Sequence, residues 1–561
     1  MGTPPSVVVG GPLAQPASSA ARTRARVGAR RGIFMALHSA AASHNPCMLL
    51  RSRPITLRAA LHGVALAAAG LFSAAAALAQ DTLPPPVQAA LAQAGLPAEA
   101  LAAVALPLGH RATTWEHRGR VPVQPGSTMK LVTSVVALDL LGPNHRGHTE
   151  LRSAAPLNDG VLQGDLVLKG GADPELGLPQ LWAMLVDLRQ RGVQHLQGDL
   201  VLDRTLFRPA RFDQNLPPFD EAPEFPYNVI PDALYLAGNL LPFELRSLPD
   251  GTVRAETVPA LPGISFSSRM TLNDKRCADW DDGWLPAAVT PGTNATTGTQ
   301  IELRGSFPRN CTRRVALQLI DRSEMAGAMF RALWQQLGGT WAGRVREAAA
   351  PAGTQVLARR DARPWGELLR PLNKTSDNAL TRLLYLQLGV PAMAANPQAS
   401  TFELADRAVR GWFTKNGIDP TGLVMDNGSG LSRSERISAW QMARLLQVAW
   451  AGPNASDLVM SLPTVGVDGT MRNRLKEGPA AGWARLKTGT LRNAVALAGY
   501  VRDDNGRPWA LALMVNHERA SQARPVLDAF VDHFARSGPY IAWPESFLQQ
   551  PDTPPQPGRW P

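Results

Sequence analysis

The chain has 561 residues, 45% of them hydrophobic and 18% charged, which suits two to four globular domains with sizeable cores rather than a disordered chain. Its net charge of +11 points first to a polyanionic partner. Eight arginines and no acidic residue lie in residues 1–79, however, so the remainder holds 49 basic against 46 acidic residues and no nucleic-acid binding is expected.

The basic leader has the pattern of an export signal. Arg51, Arg53 and Arg58 precede an apolar run from Ala59 to Ala76, and Ala77-Leu78-Ala79 forms an A-x-A exit before Gln80. The pattern predicts a signal peptide over 48–79 cleaved near Ala79, an extension over 1–47 that is either an overcalled start or a disordered lead-in, and a periplasmic mature chain. The apolar run is Ala-rich and only marginally long enough to span a bilayer, and the mature charge is close to neutral, so no stable membrane anchor is expected. Cys47 goes with the leader. Cys277 and Cys311 remain, and in an exported chain they favour a disulfide over two buried thiols.

Along the mature chain, residues 80–100 read as a Pro-rich start and a short helix. Ala102 to Leu108 reads as a strand, with Thr113 to Trp115 its partner across a turn. The apolar positions from Leu131 to Leu140 predict a helix that stops at Gly142-Pro143. From about 150 to 350 the texture is short β-like runs. Two of them, Gly164 to Leu168 and Gly198 to Leu202, are near copies and suggest related hairpins; Gly170-Gly171 reads as a turn. Ser323 to Leu337 reads as a capped helix, and helical texture returns at Pro364, through Asn373 to Leu388 and Ala405 to Asn416. Three strands close the chain, Leu486 to Thr490, Ala494 to Val501 and Trp509 to Val515, the last two joined at Asp504-Asn505-Gly506. A helix over Arg524 to Arg536 follows, and the Pro-rich 541–561 has the composition of a disordered tail.

Three short motifs carry chemistry. Ser127 and Lys130 are three residues apart at the start of the first long helix, where a hydroxyl and an amine can meet and the amine can take the hydroxyl's proton. Ser376-Asp377-Asn378 stands at a helix start, and Lys487-Thr488-Gly489-Thr490 on a strand. Each alone is as often a cap or a turn, but Ser-x-x-Lys, Ser-x-Asn and Lys-Thr-Gly in this order form the signature of active-site-serine penicillin-recognising enzymes. Acyl transfer needs a nucleophile (Ser127), a base (Lys130), a proton relay (Ser376) and a grip on substrate. The grip falls to Asn378 for an amide and to Lys487, Thr488 and Thr490 for a carboxylate. Adjacent Lys130 and Lys487 are expected to depress each other's pKa. His145-x-x-His148 has metal spacing but no evident third ligand, so neither a metal nor another cofactor is expected.

The chain resembles the penicillin-binding serine D-alanyl-D-alanine carboxypeptidase/endopeptidase family that carries a large insertion in its catalytic domain. The resemblance spans nearly all of residues 95–536. It is strengthened by Leu168-Lys169-Gly170-Gly171-Ala172-Asp173-Pro174, by Asp426-Asn427-Gly428-Ser429-Gly430-Leu431-Ser432 and by Gly466-Val467-Asp468-Gly469-Thr470; Asn427 interrupts the more usual Asp-Gly-Ser-Gly. Ser127 and Ser376 are 249 residues apart, Ser376 and Lys487 only 111, so the first gap has room for the insertion. The resemblance implies an α/β (α+β) fold: an antiparallel sheet flanked by helices, built from 80–150 and 352–540, with a β-rich insertion of one or two subdomains over 151–351. It implies backbone oxyanion donors at Ser127 and Thr490, peptidoglycan stem peptides as substrate and β-lactams as covalent inhibitors. A β-lactamase using the same serine and a catalytically silent wall-binding protein are the competing readings. Oligomeric state is not legible.

Overall fold

The structure is a computed structural model that describes residues 83–214, 222–292 and 298–536; the expected leader and tail lie outside the described residues. A five-stranded antiparallel sheet organises it, in the order Trp115–His117, Leu101–Pro107, Pro508–Asn516, Ala494–Arg502, Arg485–Leu491. The predicted Leu486 strand is therefore an edge. The partner of the first strand begins at Trp115, with Ala105 opposite it, rather than at Thr113.

Both faces of this sheet are covered, and the strands show it by period-two alternation with apolar residues on either side. Leu101, Ala103, Leu511, Leu513 and Val515 face Val87 and Leu91 of the N-terminal helix Pro85–Gln93 and Val526, Phe530 and Phe534 of the C-terminal helix Arg524–Arg536. Ala102, Val104, Ala512 and Met514 face the other way, onto the helices Lys130–Leu140, Asn378–Gly389, Thr401–Lys415 and Ala439–Ala451. Burying Leu511 and Leu513 completely is worth about 1.5–3 kcal/mol each. The Lys130–Leu140 helix is sunk in this second core, with Leu131, Val132 and Val136 fully buried. It is fixed on every side, which suits an element that carries reactive groups at one end.

Residues 148–361 contain a second five-stranded sheet, ordered Val345–Glu347, Leu200–Asp203, Leu166–Gly171, His148–Ser153, Gln355–Asp361. Its last two strands are antiparallel neighbours, from His148 opposite Asp361 to Ser153 opposite Gln355, so the two ends of the segment read as an insertion over 151–351 lie side by side. The two near-identical runs are not hairpins. Leu166 to Leu168 lies parallel to Leu200 to Leu202, with Asp199 N–H donating to Asp165 Oδ1 at 2.7 Å. Gly170 and Gly171 end a strand rather than form a turn; a Cβ on Gly170 would stand 2.3 Å from the Ala233 carbonyl oxygen, so only glycine lets the two backbones meet. Further sheets hold Leu241–Ser247 and Thr299–Pro308, and Phe243, Ile301 and Phe307 share one hydrophobic core with Leu151, Leu168 and Leu202. Cys277 and Cys311 are disulfide-bonded there, with Cα atoms 5.4 Å apart. Among the described residues no helix is long and apolar enough to cross a membrane.

Candidate active site

Ser127 sits in a single 3-10 turn, Gly126–Met129, that leads into the α-helix beginning at Lys130. Lys130 is wholly buried, and its Nζ lies 3.1 Å from Ser127 Oγ, 2.6 Å from Asn378 Oδ1 and 2.5 Å from the Ser429 carbonyl oxygen. The Ser376-Asp377-Asn378 motif stands at a helix start, as read from the sequence: the helix Trp365–Thr375 ends at Ser376, which adopts the left-handed conformation at φ 61°, and the next helix begins at Asn378. A non-glycine residue there costs about 1–3 kcal/mol and persists only where its surroundings hold it. Here Asp377 N–H closes back on the Leu372 carbonyl, Asp377 Oδ1 caps the next helix at Leu380 N–H, and Lys487 Nζ donates to Ser376 Oγ at 2.8 Å. The break lets Asn378 start a new helix with its amide on Lys130.

Lys487 is wholly buried, bonded to Ser376 Oγ and to the Thr488 carbonyl, rather than presented to solvent as the cation for a carboxylate. Thr488 Oγ1 bonds Thr470 Oγ1 at 2.8 Å, and Thr490 is exposed on the same edge strand. Glycines bring the serine turn against this strand. Gly489 has a carbonyl oxygen, that of Pro125, 2.4 Å from where a Cβ would stand, with Ser127 N at 3.1 Å; Gly126, at φ +51°, has Thr490 N at 3.0 Å from its Cβ position. The backbone N–H groups of Ser127 and Thr490, named as oxyanion donors from the resemblance, thus both lie where the serine turn meets the strand. Gly489→Ala pushes the turn off the strand, and acylation by a penicillin in stopped flow is expected to fall by about a hundredfold, the scale of a 1 Å misplacement; a wild-type rate would contradict this packing.

The electrostatics follow from burial. Desolvation brings Lys130 down to about 7, with Asp377 and Glu435 pulling upward and Arg382 adding a smaller push down. Lys487 is held well below the ordinary lysine value, first by burial and then by the charge of Lys130. The mutual effect expected from sequence thus acts mainly on Lys487; at Lys130 burial dominates. With a pKa of about 7, roughly half the Lys130 amines are neutral at pH 7, against fewer than about one in a thousand for an exposed lysine.

A neutral amine has two N–H bonds and one lone pair. The Asn378 Oδ1 and Ser429 carbonyl oxygens can only accept, so they take the two hydrogens, and the lone pair is left facing Ser127 Oγ, whose hydroxyl can donate. Asn378 cannot turn its amide over, because Nδ2 donates to the Tyr227 carbonyl at 3.0 Å. Tyr227 lies in the turn Pro226–Asn228 of the insertion, and Arg382 of the Asn378 helix grips the next two carbonyls, of Asn228 and Val229, at 3.0 and 2.8 Å.

The profile of the D-Ala-D-Ala carboxypeptidase 3 (S13) family matches residues 85–536. The chain belongs to that family. The D-alanyl-D-alanine carboxypeptidase of Actinomadura sp. (strain R39) is 31% identical over 423 residues, 73% of this chain and 76% of that protein. The D-alanyl-D-alanine carboxypeptidase DacB of Haemophilus influenzae is 26% identical over 407 residues, 72% of this chain and 82% of that protein. A crystal structure of penicillin binding protein 4 (dacB) from Haemophilus influenzae covers 80% of this chain and 99% of its own at TM-score 0.67 and 24% identity, which shows a common fold. A second structure of that protein, complexed with a β-lactam, matches at TM-score 0.59.

Within this S13 chain the three sequence motifs meet at one place. Ser429, Tyr227, Arg382 and Thr470 also touch the site and were not assigned roles from sequence. Ser429 and Thr470 lie in segments already quoted for the resemblance, whereas Tyr227 acts through its carbonyl, which no residue pattern records. Among the described residues no group of His, Cys, Asp and Glu is placed to hold a metal; His145 Nε2 instead meets Gln387 Oε1 at 2.8 Å.

Proposed function

We propose that Ser127 is the nucleophile with which this chain, a serine-type D-Ala-D-Ala peptidase of peptidoglycan, cleaves stem peptides through an acyl-serine intermediate. The observation that carries the residue roles is the buried Lys130 amine, whose two hydrogens have carbonyl acceptors and whose remaining position faces Ser127 Oγ at 3.1 Å. Lys130 takes the Ser127 proton as Oγ bonds the D-Ala carbonyl carbon. The oxyanion forms beside the N–H groups of Ser127 and Thr490. When the C–N bond breaks, the leaving amine takes the proton that Lys130 accepted from Ser127, relayed through Ser376, which Lys487 holds in place, and Lys130 is neutral again. Water then attacks the acyl-serine, with Lys130 again as base, and releases the acid and free enzyme.

Asn378, Thr488 and Thr490 line the approach and hold the substrate's amide and carboxylate, and the part of the Arg485–Leu491 edge beyond Leu486, whose own N–H is taken by the Pro463 carbonyl, suits an extended peptide. Asp377 and Glu435, the two carboxylates whose charge bears on Lys130, are both committed to backbone N–H groups, which favours slow hydrolysis of a β-lactam acyl-enzyme over β-lactamase turnover. The leader pattern supports export to the periplasm, and the division into catalytic segments and insertion stays part of this reading. The test is incubation with a peptide ending in D-Ala-D-Ala and with cross-linked muropeptides, followed by mass spectrometry. Loss of one D-Ala, or conversion of dimers to monomers, is expected; a folded protein that leaves both untouched while rapidly hydrolysing a chromogenic cephalosporin would contradict it.

A further inference from the structure

Glu435 lies outside all three motifs and is wholly buried. Its carboxylate accepts from the loop five to nine residues upstream. Oε1 accepts from Asp426 N–H at 3.3 Å, Asn427 N–H at 3.1 Å and Gly428 N–H at 2.7 Å, while Oε2 accepts from Gly430 N–H at 2.7 Å. With so many amides turned inward, the carbonyls of the same loop are turned out. The Gly428 carbonyl accepts from Thr133 Oγ1 at 2.8 Å, one turn along the helix from Lys130, and the Ser429 carbonyl accepts from Lys130 Nζ. Asn427 Oδ1 accepts from Ser429 N–H at 3.1 Å, so the residue that interrupts the usual Asp-Gly-Ser-Gly run closes the loop's outer side.

We infer that Glu435 is a positioning residue for the reaction: by gathering the N–H groups of residues 426–430 it fixes the Ser429 carbonyl on Lys130 and so fixes where the lysine lone pair points. This rests on the reading of Lys130 as the base. Without the Ser429 carbonyl one N–H of the neutral amine has no acceptor, the amine rotates between Asn378 Oδ1 and Ser127 Oγ, and the lone pair faces the hydroxyl only part of the time. A fully buried carboxylate that meets backbone amides and no cationic side chain in hydrogen-bond contact is costly to keep, and shaping this loop gives it a role beyond packing.

Glutamine at 435 tests it. An amide has one acceptor oxygen, and whichever way it turns, its NH2 group meets loop N–H groups that need an acceptor. The change also removes a negative charge near Lys130. The charged groups that bear on Lys130 are Asp377 and Arg382 on the Asn378 helix and its break, Glu435 itself, and Lys487 on the edge strand; Glu435 in turn faces Asp426, Arg382 and the Tyr385 phenol. Loss of the charge and of the carbonyl acceptor act in the same direction, because both had favoured the protonated amine.

The experiment is stopped-flow acylation of the mature protein by benzylpenicillin, from about pH 5 to 9, for wild type, Glu435→Gln, Glu435→Asp and Lys130→Met, with melting curves for each. Glu435→Gln is expected to acylate about tenfold more slowly at its plateau, with the acidic midpoint moved to lower pH. Glu435→Asp keeps the charge but shortens the reach, so the rate falls and the midpoint moves to lower pH by less than in the Gln variant. A native-melting Gln variant with the wild-type rate and midpoint overturns the inference, and so does a slower one whose midpoint has not moved, since a merely structural role predicts that. If the Gln variant does not fold, the Asp variant decides: acylation at the wild-type rate overturns the inference. Unimpaired acylation by Lys130→Met would instead overturn the reading of the base, whatever Glu435 does.

Discussion

Ser127→Ala is expected to release no D-Ala above the uncatalysed background, a fall on the order of 10⁴-fold or more in kcat/KM, while melting like the wild type. The size follows from the absence of a substitute. Lys130 and Lys487 are wholly buried and Ser376 is held by Lys487, so no neighbouring group is placed to form the acyl intermediate. The folded structure has little to lose, because Ser127 Oγ contributes one 3.1 Å contact at the mouth of the site, and Lys130 retains Asn378 Oδ1 and the Ser429 carbonyl. Binding of the unreacted substrate should survive, since Asn378, Thr488 and Thr490 are unchanged. Release of D-Ala, followed chromatographically with a D-Ala-D-Ala peptide, is the measurement; residual turnover within about a hundredfold of wild type would mean another nucleophile.

Lys130→Met is the second large effect. It keeps the length and burial of the side chain but removes the base, and acylation should slow on the order of 10³-fold. The pH dependence should change with it. In the wild type the reactive form is the neutral amine, which is lost to protonation as pH falls through about 7, so acylation rises with pH across that value and levels off above it. In the Met variant that limb should vanish, leaving the slow rate nearly flat over the same range. The sign discriminates between mechanisms. A charged Lys130 acting only as an electrostatic anchor would lose effect as pH rises through 7, the opposite slope.

The residues that the structure brings together, Ser127, Lys130, Ser376, Asn378 and Lys487, were legible in the sequence because each is a side chain whose type and spacing form a motif. Ser127 and Lys130 had to share a turn, and Lys487 had to lie on a strand beside them. The sheet was legible too, since strands buried on both faces alternate two sets of apolar residues, as Leu511, Leu513 and Val515 alternate with Ala512 and Met514. What stayed hidden works through the backbone or through long-range contact. The helix start at Ser376-Asp377-Asn378 was legible, but not the left-handed conformation of Ser376, which is held by the backbone and cap contacts of Asp377 and by Lys487, 111 positions away. The two Gly-Asp-Leu-Val-Leu runs looked like hairpins because short strands and turns precede hairpins and parallel neighbours alike. Tyr227 orients Asn378 with a carbonyl that any residue could supply, and Glu435 acts on amides with no side-chain partner to form a pattern. The segment read as the insertion, whose function the sequence does not show, reaches Asn378 by that carbonyl.

The measurement that bears most directly on the central claim is peptide mapping by mass spectrometry of the mature protein after brief exposure to benzylpenicillin. The account predicts one penicilloyl adduct per chain, on the peptide that contains Ser127, and none after Ser127→Ala. An adduct on any other residue, or a folded wild-type protein that stays unmodified at saturating penicillin, would contradict it.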